Sequence, residues 1–122
     1  MKVAVLIVED EAFLRWNLAD EFRDAGYVVL EAASAEQAMD VCHDGAAVHI
    51  LVTDILLNGS DSGWDVAKQF RALRGNIPVV YTTGNHLDAN QAVPDSLFFS
   101  KPYHPAEVVS RCQKLIATRN YE

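Results

Sequence analysis

Cysteine is scarce in this chain of 122 residues. The two that occur, Cys42 and Cys112, stand far apart with no CxxC or His-rich spacing, which excludes a disulfide framework and a zinc cluster. Both are expected to be buried thiols of a reducing compartment. Basic charge is also short: 10 Lys and Arg face 17 Asp and Glu, for a net charge of −7, and no Lys/Arg cluster exceeds a pair. Phosphate backbones demand a basic footprint, so nucleic acid is not expected as a direct partner. No apolar run is long enough to cross a bilayer. The first one, Val3 to Val8, is too short and too soon followed by acids to be a signal peptide. A cytoplasmic protein away from membranes is expected. Linkers, internal repeats and low-complexity tracts are absent too, which leaves one domain over residues 1–122 with one core.

What is there alternates strand and helix. Val3 to Val8 is a buried strand ending in Glu9-Asp10-Glu11. Ala12 to Ala25 carries Leu14, Leu18, Phe22 and Ala25 on one helical face, with Gly26 as the terminating glycine. Tyr27 to Leu30 is a second strand. Ser34-Ala35-Glu36-Gln37 has the pattern of a capping box and opens a helix that reaches about His43. Ile50 to Asp54 is an apolar, β-branched strand that delivers one carboxylate at its end. Gly63 to Arg74 is a helix with Val66, Ala67, Phe70 and Leu73 inward. Pro78 to Thr82 and Leu97 to Ser100 are the fourth and fifth strands. Pro105 suits a first helical position, with His104 as N-cap and Val108, Val109, Cys112, Leu115 and Ile116 inward.

Such alternation implies an α/β fold, a parallel sheet covered on both faces. The favoured topology is the flavodoxin-like, doubly wound (βα)5 sandwich with strand order 2-1-3-4-5. In that order the first and third strands are neighbours, so Glu9, Asp10 and Asp54 converge at their carboxyl ends, where chemistry collects in open α/β sheets. Alone, Asp54 is equally a cap or turn residue, and Glu11 is a helix-start acid favoured by the dipole. Three crowded carboxylates repel and need a cation. Oxygen-only ligands fit Mg²⁺, which takes one or two carboxylates and leaves room for a phosphate oxygen. Thr83 and Lys101 fall at the ends of the fourth and fifth strands on the same face. The Thr83 hydroxyl could bond an oxyanion, and Lys101 could bring a point charge to a phosphoryl group. A strand-end carboxylate can act as a nucleophile toward phosphorus. No histidine is placed to serve as a base.

The pieces Val8-Glu9-Asp10-Glu11, Val52-Thr53-Asp54, Thr83-Gly84 and Ser100-Lys101-Pro102, in that order, resemble a bacterial two-component response-regulator receiver domain over the whole chain. The resemblance implies that Asp54 is the phosphoacceptor and that Glu9, Asp10 and Asp54 hold Mg²⁺ with the main-chain carbonyl of Leu56. It implies Thr83 as switch hydroxyl, Lys101 as phosphate-binding lysine and a cis Lys101–Pro102 bond. A sensor histidine kinase or phosphotransfer protein would then supply the phosphoryl group, and a downstream protein would read it. Such a domain is a switch, promoting only its own phosphorylation and dephosphorylation, and not an enzyme acting on others.

Departures from that pattern matter as well. The loop after Asp54 is one residue longer than usual, and Leu56 two beyond Asp54 cannot orient water. Phe98, at the aromatic switch position, lacks a hydroxyl. The Thr83–Lys101 interval is short, and Tyr81-Thr82-Thr83-Gly84 resembles the FAT GUY subclass of stand-alone receivers, although Asn85 departs from its final aromatic. The helix between the fourth and fifth strands is expected to be short or missing, with only Leu87 to Val93 able to be helical before Pro94. Gly84 to Ser96 is expected to be weakly held, ordered by phosphorylation, and to form a partner surface with Phe98 and the last helix. No output domain is expected after the last helix. Two alternatives are a phosphate-independent pseudo-receiver and a haloacid-dehalogenase-type phosphatase, which would need an acid where Leu56 stands.

Overall fold

The computed structural model of the chain describes residues 2–59, 61–84 and 89–119. Its elements are β1 (Ala4–Val8), α1 (Ala12–Asp24), β2 (Val28–Ala32), α2 (Ala35–His43), β3 (Ile50–Asp54), α3 (Gly63–Arg74), β4 (Val79–Thr83), β5 (Leu97–Ser100) and α4 (Pro105–Ala117). The strands are all parallel, in the order β2-β1-β3-β4-β5, the flavodoxin-like order expected from the alternation. Among the described residues, the β4–β5 connection carries only a 3₁₀ turn, Ala89–Gln91. Leu87 and Asp88, the start of the helix expected there, lie outside the described residues. No helix among the described residues is long and apolar enough to cross a membrane.

The two-residue period of the strands divides the core into two layers. Val5, Ile7, Ile50, Val52 and Val80 pack with Leu18, Ala19 and Phe22 of α1 and with Val108, Val109 and Cys112 of α4. Leu6, Val8, Leu51, Val79 and Tyr81 pack with Ala38 and Cys42 of α2 and with Val66, Ala67 and Phe70 of α3. Every residue of β1, β3 and β4 is buried, as central strands covered on both faces must be. Both thiols are buried and unpaired, and burial pushes the Cys112 thiol up to about 12. Leu115 and Ile116 pack half-buried at the edge of the α4 stripe.

Several local expectations shift. β2 begins at Val28, because the Tyr27 N–H still donates to Phe22 O at the end of α1, at 3.1 Å. It continues through Glu31 and Ala32, whose backbones pair with Ile7 and Val8, while the Glu31 carboxylate meets Arg15 and Arg23. On α1, Leu14 is half-buried and Ala25 is an exposed C-cap, while Ala19 joins Leu18 and Phe22 inside. Leu73 is 53% exposed and not inward, because the last turn of α3 meets α2 through Arg74 instead. That guanidinium donates to the carbonyls of Val41, Cys42 and Ala46 and so satisfies the C-terminal end of α2. His104 occupies the N-cap position of α4, but only its carbonyl takes part, accepting from Glu107 N–H at 2.9 Å; its imidazole makes no cap. Val93 is buried and its N–H donates to Tyr81 Oη at 3.2 Å, so this part of the β4–β5 connection is pinned more firmly than its composition implies.

The entry to α3 fixes the strand that ends at Asp54. Gly63 N–H donates to Ile55 O at 2.8 Å, and Ser62 and Asp65 form a reciprocal capping box. A Cβ on Gly63 would overlap the main-chain oxygen of Asp54, so only glycine allows this approach. Gly63→Ala should therefore destabilise the protein by about 2–3 kcal/mol, lowering Tm by roughly 10 °C in a calorimetric scan. An unchanged Tm would mean that α3 can retreat from the strand end at no cost.

Candidate functional site

Register sets the site. Val8 pairs with Thr53, Asp54 with Thr82 and Thr83 with Ser100, so the exits of β1, β3, β4 and β5 lie abreast. The residues leaving them are Glu9, Asp54, Thr83 and Lys101, four of the positions singled out in the sequence. β4 runs one residue later than expected, which makes Thr83 its buried last residue. Lys101 N–H donates to Thr83 O at 2.7 Å, and the Lys101–Pro102 bond is cis, as the resemblance implies.

Lys101 Nζ lies 2.9 Å from Asp54 Oδ2 and 2.7 Å from Glu9 Oε1. The first contact is a hydrogen bond. The second is a short ion pair to a buried carboxylate oxygen. The other Glu9 oxygen accepts from Glu11 N–H at 3.0 Å. Burial raises the Glu9 pKa and the Asp54 charge adds to this, opposed by Lys101 and the Glu11 amide. Burial also disfavours the Lys101 ammonium, but the two carboxylates outweigh it and hold its pKa above the ordinary range.

One oxygen from each of Glu9, Asp10 and Asp54 lies within 4.8 Å of the others. A cluster made only of hard carboxylate oxygens fits a hard divalent cation such as Mg²⁺. Asp10 is less buried than its two companions and is engaged elsewhere: its Oδ2 accepts from Asn58 N–H at 3.2 Å, tying the β3–α3 loop to the end of β1. Leu56 follows in that loop with a side chain 52% exposed, while Ile55 takes the inward position. Phe98 is 43% exposed and leans on Tyr81, ring centroids 5.2 Å apart, with Trp64 at 6.0 Å.

Three contributors escape a sequence reading. Arg15 Nη1 donates to Glu9 O at 2.9 Å and steadies the backbone that carries the acids. Tyr103 packs half-buried beside the site, its phenol pushed up to about 12 by burial first and by the Glu9 carboxylate second. Asn58 N–H, the anchor for Asp10, is a main-chain group that no side-chain pattern announces.

Comparison with known proteins agrees with this geometry. Residues 5–113 match the family described as the response regulator receiver domain. The transcriptional regulatory protein AruR of Pseudomonas aeruginosa is 32% identical over 120 residues, covering 92% of this chain and 48% of that protein. The phosphate regulon transcriptional regulatory protein PhoB of the same organism is 32% identical over 118 residues, covering 92% and 51%. The chain thus spans about half the length of the curated relatives it matches. Among solved structures, a response regulator receiver protein from Sinorhizobium medicae superposes with a TM-score of 0.92 at 32% identity, covering 98% of both chains. The receiver domain of the hybrid histidine kinase CckA superposes with a TM-score of 0.79 at 28% identity, covering 91% and 96%. With strand order, site geometry and family match in agreement, this chain belongs to the response regulator receiver domain family.

Proposed function

We propose that this receiver is a phosphorylation switch of a two-component pathway, taking its phosphoryl group on Asp54 from a phosphohistidine of a sensor kinase or phosphotransfer protein. The observation that carries this is the Lys101 ammonium set between the Asp54 and Glu9 carboxylates. An Asp54 oxygen attacks phosphorus, the P–N bond breaks, and the imidazole leaves with its electron pair. Lys101 supplies a fixed positive charge where the transferred oxygens gather, since positioning and electrostatics do most of the work in phosphoryl transfer. Glu9, Asp10, Asp54 and the Leu56 carbonyl would hold Mg²⁺, which neutralises phosphoryl charge when bound. Thr83, at the end of β4, offers its hydroxyl to the new oxyanion, and Phe98 shares the aromatic contact with Tyr81 two residues upstream.

The output is read by a protein partner in the cytoplasm, and the chain serves as phosphoacceptor instead of as a multiple-turnover enzyme. A haloacid-dehalogenase-type phosphatase is disfavoured because the residue two beyond Asp54 is an exposed leucine and not an acid. A phosphate-independent binding module would have no use for a lysine held between two buried acids.

Asp54→Asn should abolish the mass increase seen after incubation with a small phosphodonor and Mg²⁺, while Tm stays within a few degrees. A full mass shift in that variant would transfer the role to another residue. Asp10→Asn keeps an oxygen for the Asn58 amide and removes one charge. It should weaken Mg²⁺ binding by ~10-fold or more, measured by fluorescence or calorimetric titration, and raise Tm in metal-free buffer by relieving repulsion. Equal Mg²⁺ affinity would leave Asp10 as a loop tether alone. Leu56→Asn offers the attacking water a hydrogen bond worth about 1 kcal/mol, so the aspartyl phosphate should decay roughly fivefold faster. An unaltered lifetime would show that water reaches phosphorus by another path.

A further inference from the structure

At the entry end of the sheet, about one strand length (~17 Å) from the acidic site, Arg71, Asn76, Val93, Pro94, Asp95 and Arg119 line a cavity of about 550 Å³. Two guanidinium groups share this one cavity, in a chain whose net charge is −7. Burial pushes the Arg71 guanidinium below the usual arginine range, opposed by Tyr81 and Asp95, while the nearby positive charge of Arg119 adds to the lowering. Among the described residues neither guanidinium is in an ion pair.

The walls are held in place. Arg71 Nε donates to Ile77 O at 2.8 Å, Arg119 Nη1 donates to Asn76 O, and Val93 N–H donates to Tyr81 Oη. Each arginine spends one donor on these ties and keeps others of its five for a ligand. Val93 and Pro94 give the cavity an apolar side, and its volume falls in the range of small-molecule sites. With Asp95 counted, the lining carries a net charge of +1, the complement of an anion.

We propose that this cavity binds a small organic oxyanion, its charged head gripped by Arg71 and Arg119 and its apolar body laid against Val93 and Pro94. Planar guanidinium forks match carboxylate and phosphate oxygens in pairs, which gives such a head direction as well as attraction. The site stands apart from Asp54 and does not depend on its phosphorylation.

The test is a two-dimensional NMR titration of the isotope-labelled chain in Mg²⁺-free buffer with phenyl phosphate, and in parallel with benzoate, inorganic phosphate and benzyl alcohol. Phenyl phosphate or benzoate should give saturating shifts at the amides of Asn76, Val93 and Asp95 and at Arg71 Nε, with a dissociation constant on the order of 1 mM or tighter. The tighter of the two identifies the oxyanion preferred. Inorganic phosphate should bind more weakly for want of an apolar body. Arg119→Gln, at an exposed position, should weaken binding by ~10-fold, with Arg119→Lys in between. Shifts that never saturate, shifts gathered around Asp54 and Lys101, unchanged affinity in Arg119→Gln, or equal binding of benzyl alcohol would each overturn the proposal.

Discussion

The Lys101 ammonium between Glu9 and Asp54 is the contact on which the rest of the molecule depends. Two carboxylates exposed by only 2% and 6% sit at adjacent strand ends, with a third within 4.8 Å. Like charges at such spacing repel, and a cation in contact with both offsets that repulsion. Everything that places that ammonium is therefore under constraint: the parallel register of four strands and the Lys101–Thr83 backbone bond.

A second constraint runs across the sheet. Trp64 at the start of α3 meets Tyr81 of β4, ring centroids 4.7 Å apart, and Tyr81 meets Phe98 of β5. The Tyr81 hydroxyl, fully buried, finds its partner in the Val93 amide, as a buried phenol must. One side chain thus joins α3, β5 and the β4–β5 connection, two residues upstream of Thr83. A displacement of the β4 end is shared by all three elements and not absorbed in one loop.

The sheet order and the acidic site were legible in the sequence because both are written locally. Short apolar runs that stop abruptly at a polar residue mark buried parallel strands, and the residues just past those stops, Glu9, Asp54 and Lys101, are the ones the register brings together. Thr83 was found by the same logic, although it closes β4 where an external position was expected. Leu73 misled because helical periodicity reports which face a residue shares, and not how far along the helix its packing partners extend. The role of Arg74 was hidden because its acceptors are main-chain carbonyls of α2 and the loop after it, and the Asp10 tether was hidden because its partner is also a main-chain group. β2 was ended too early because a glutamate within an edge strand breaks the apolar pattern, while its backbone pairs regardless.

The bond from Gly63 to Ile55 closes the β3–α3 loop upon itself. The two ends of the loop are clamped to each other beside Asp54, and Asn58 within it is tied once more, to Asp10. Changing the circumference of such a ring costs little, since closure entropy grows only with the logarithm of length. The carbonyl end of β3 is thereby buffered against changes of loop length, provided that Asn58 keeps its reach to Asp10. A residue more or less between Asn58 and Ser62 changes the surface of the ring and leaves the carboxylate where the strand puts it.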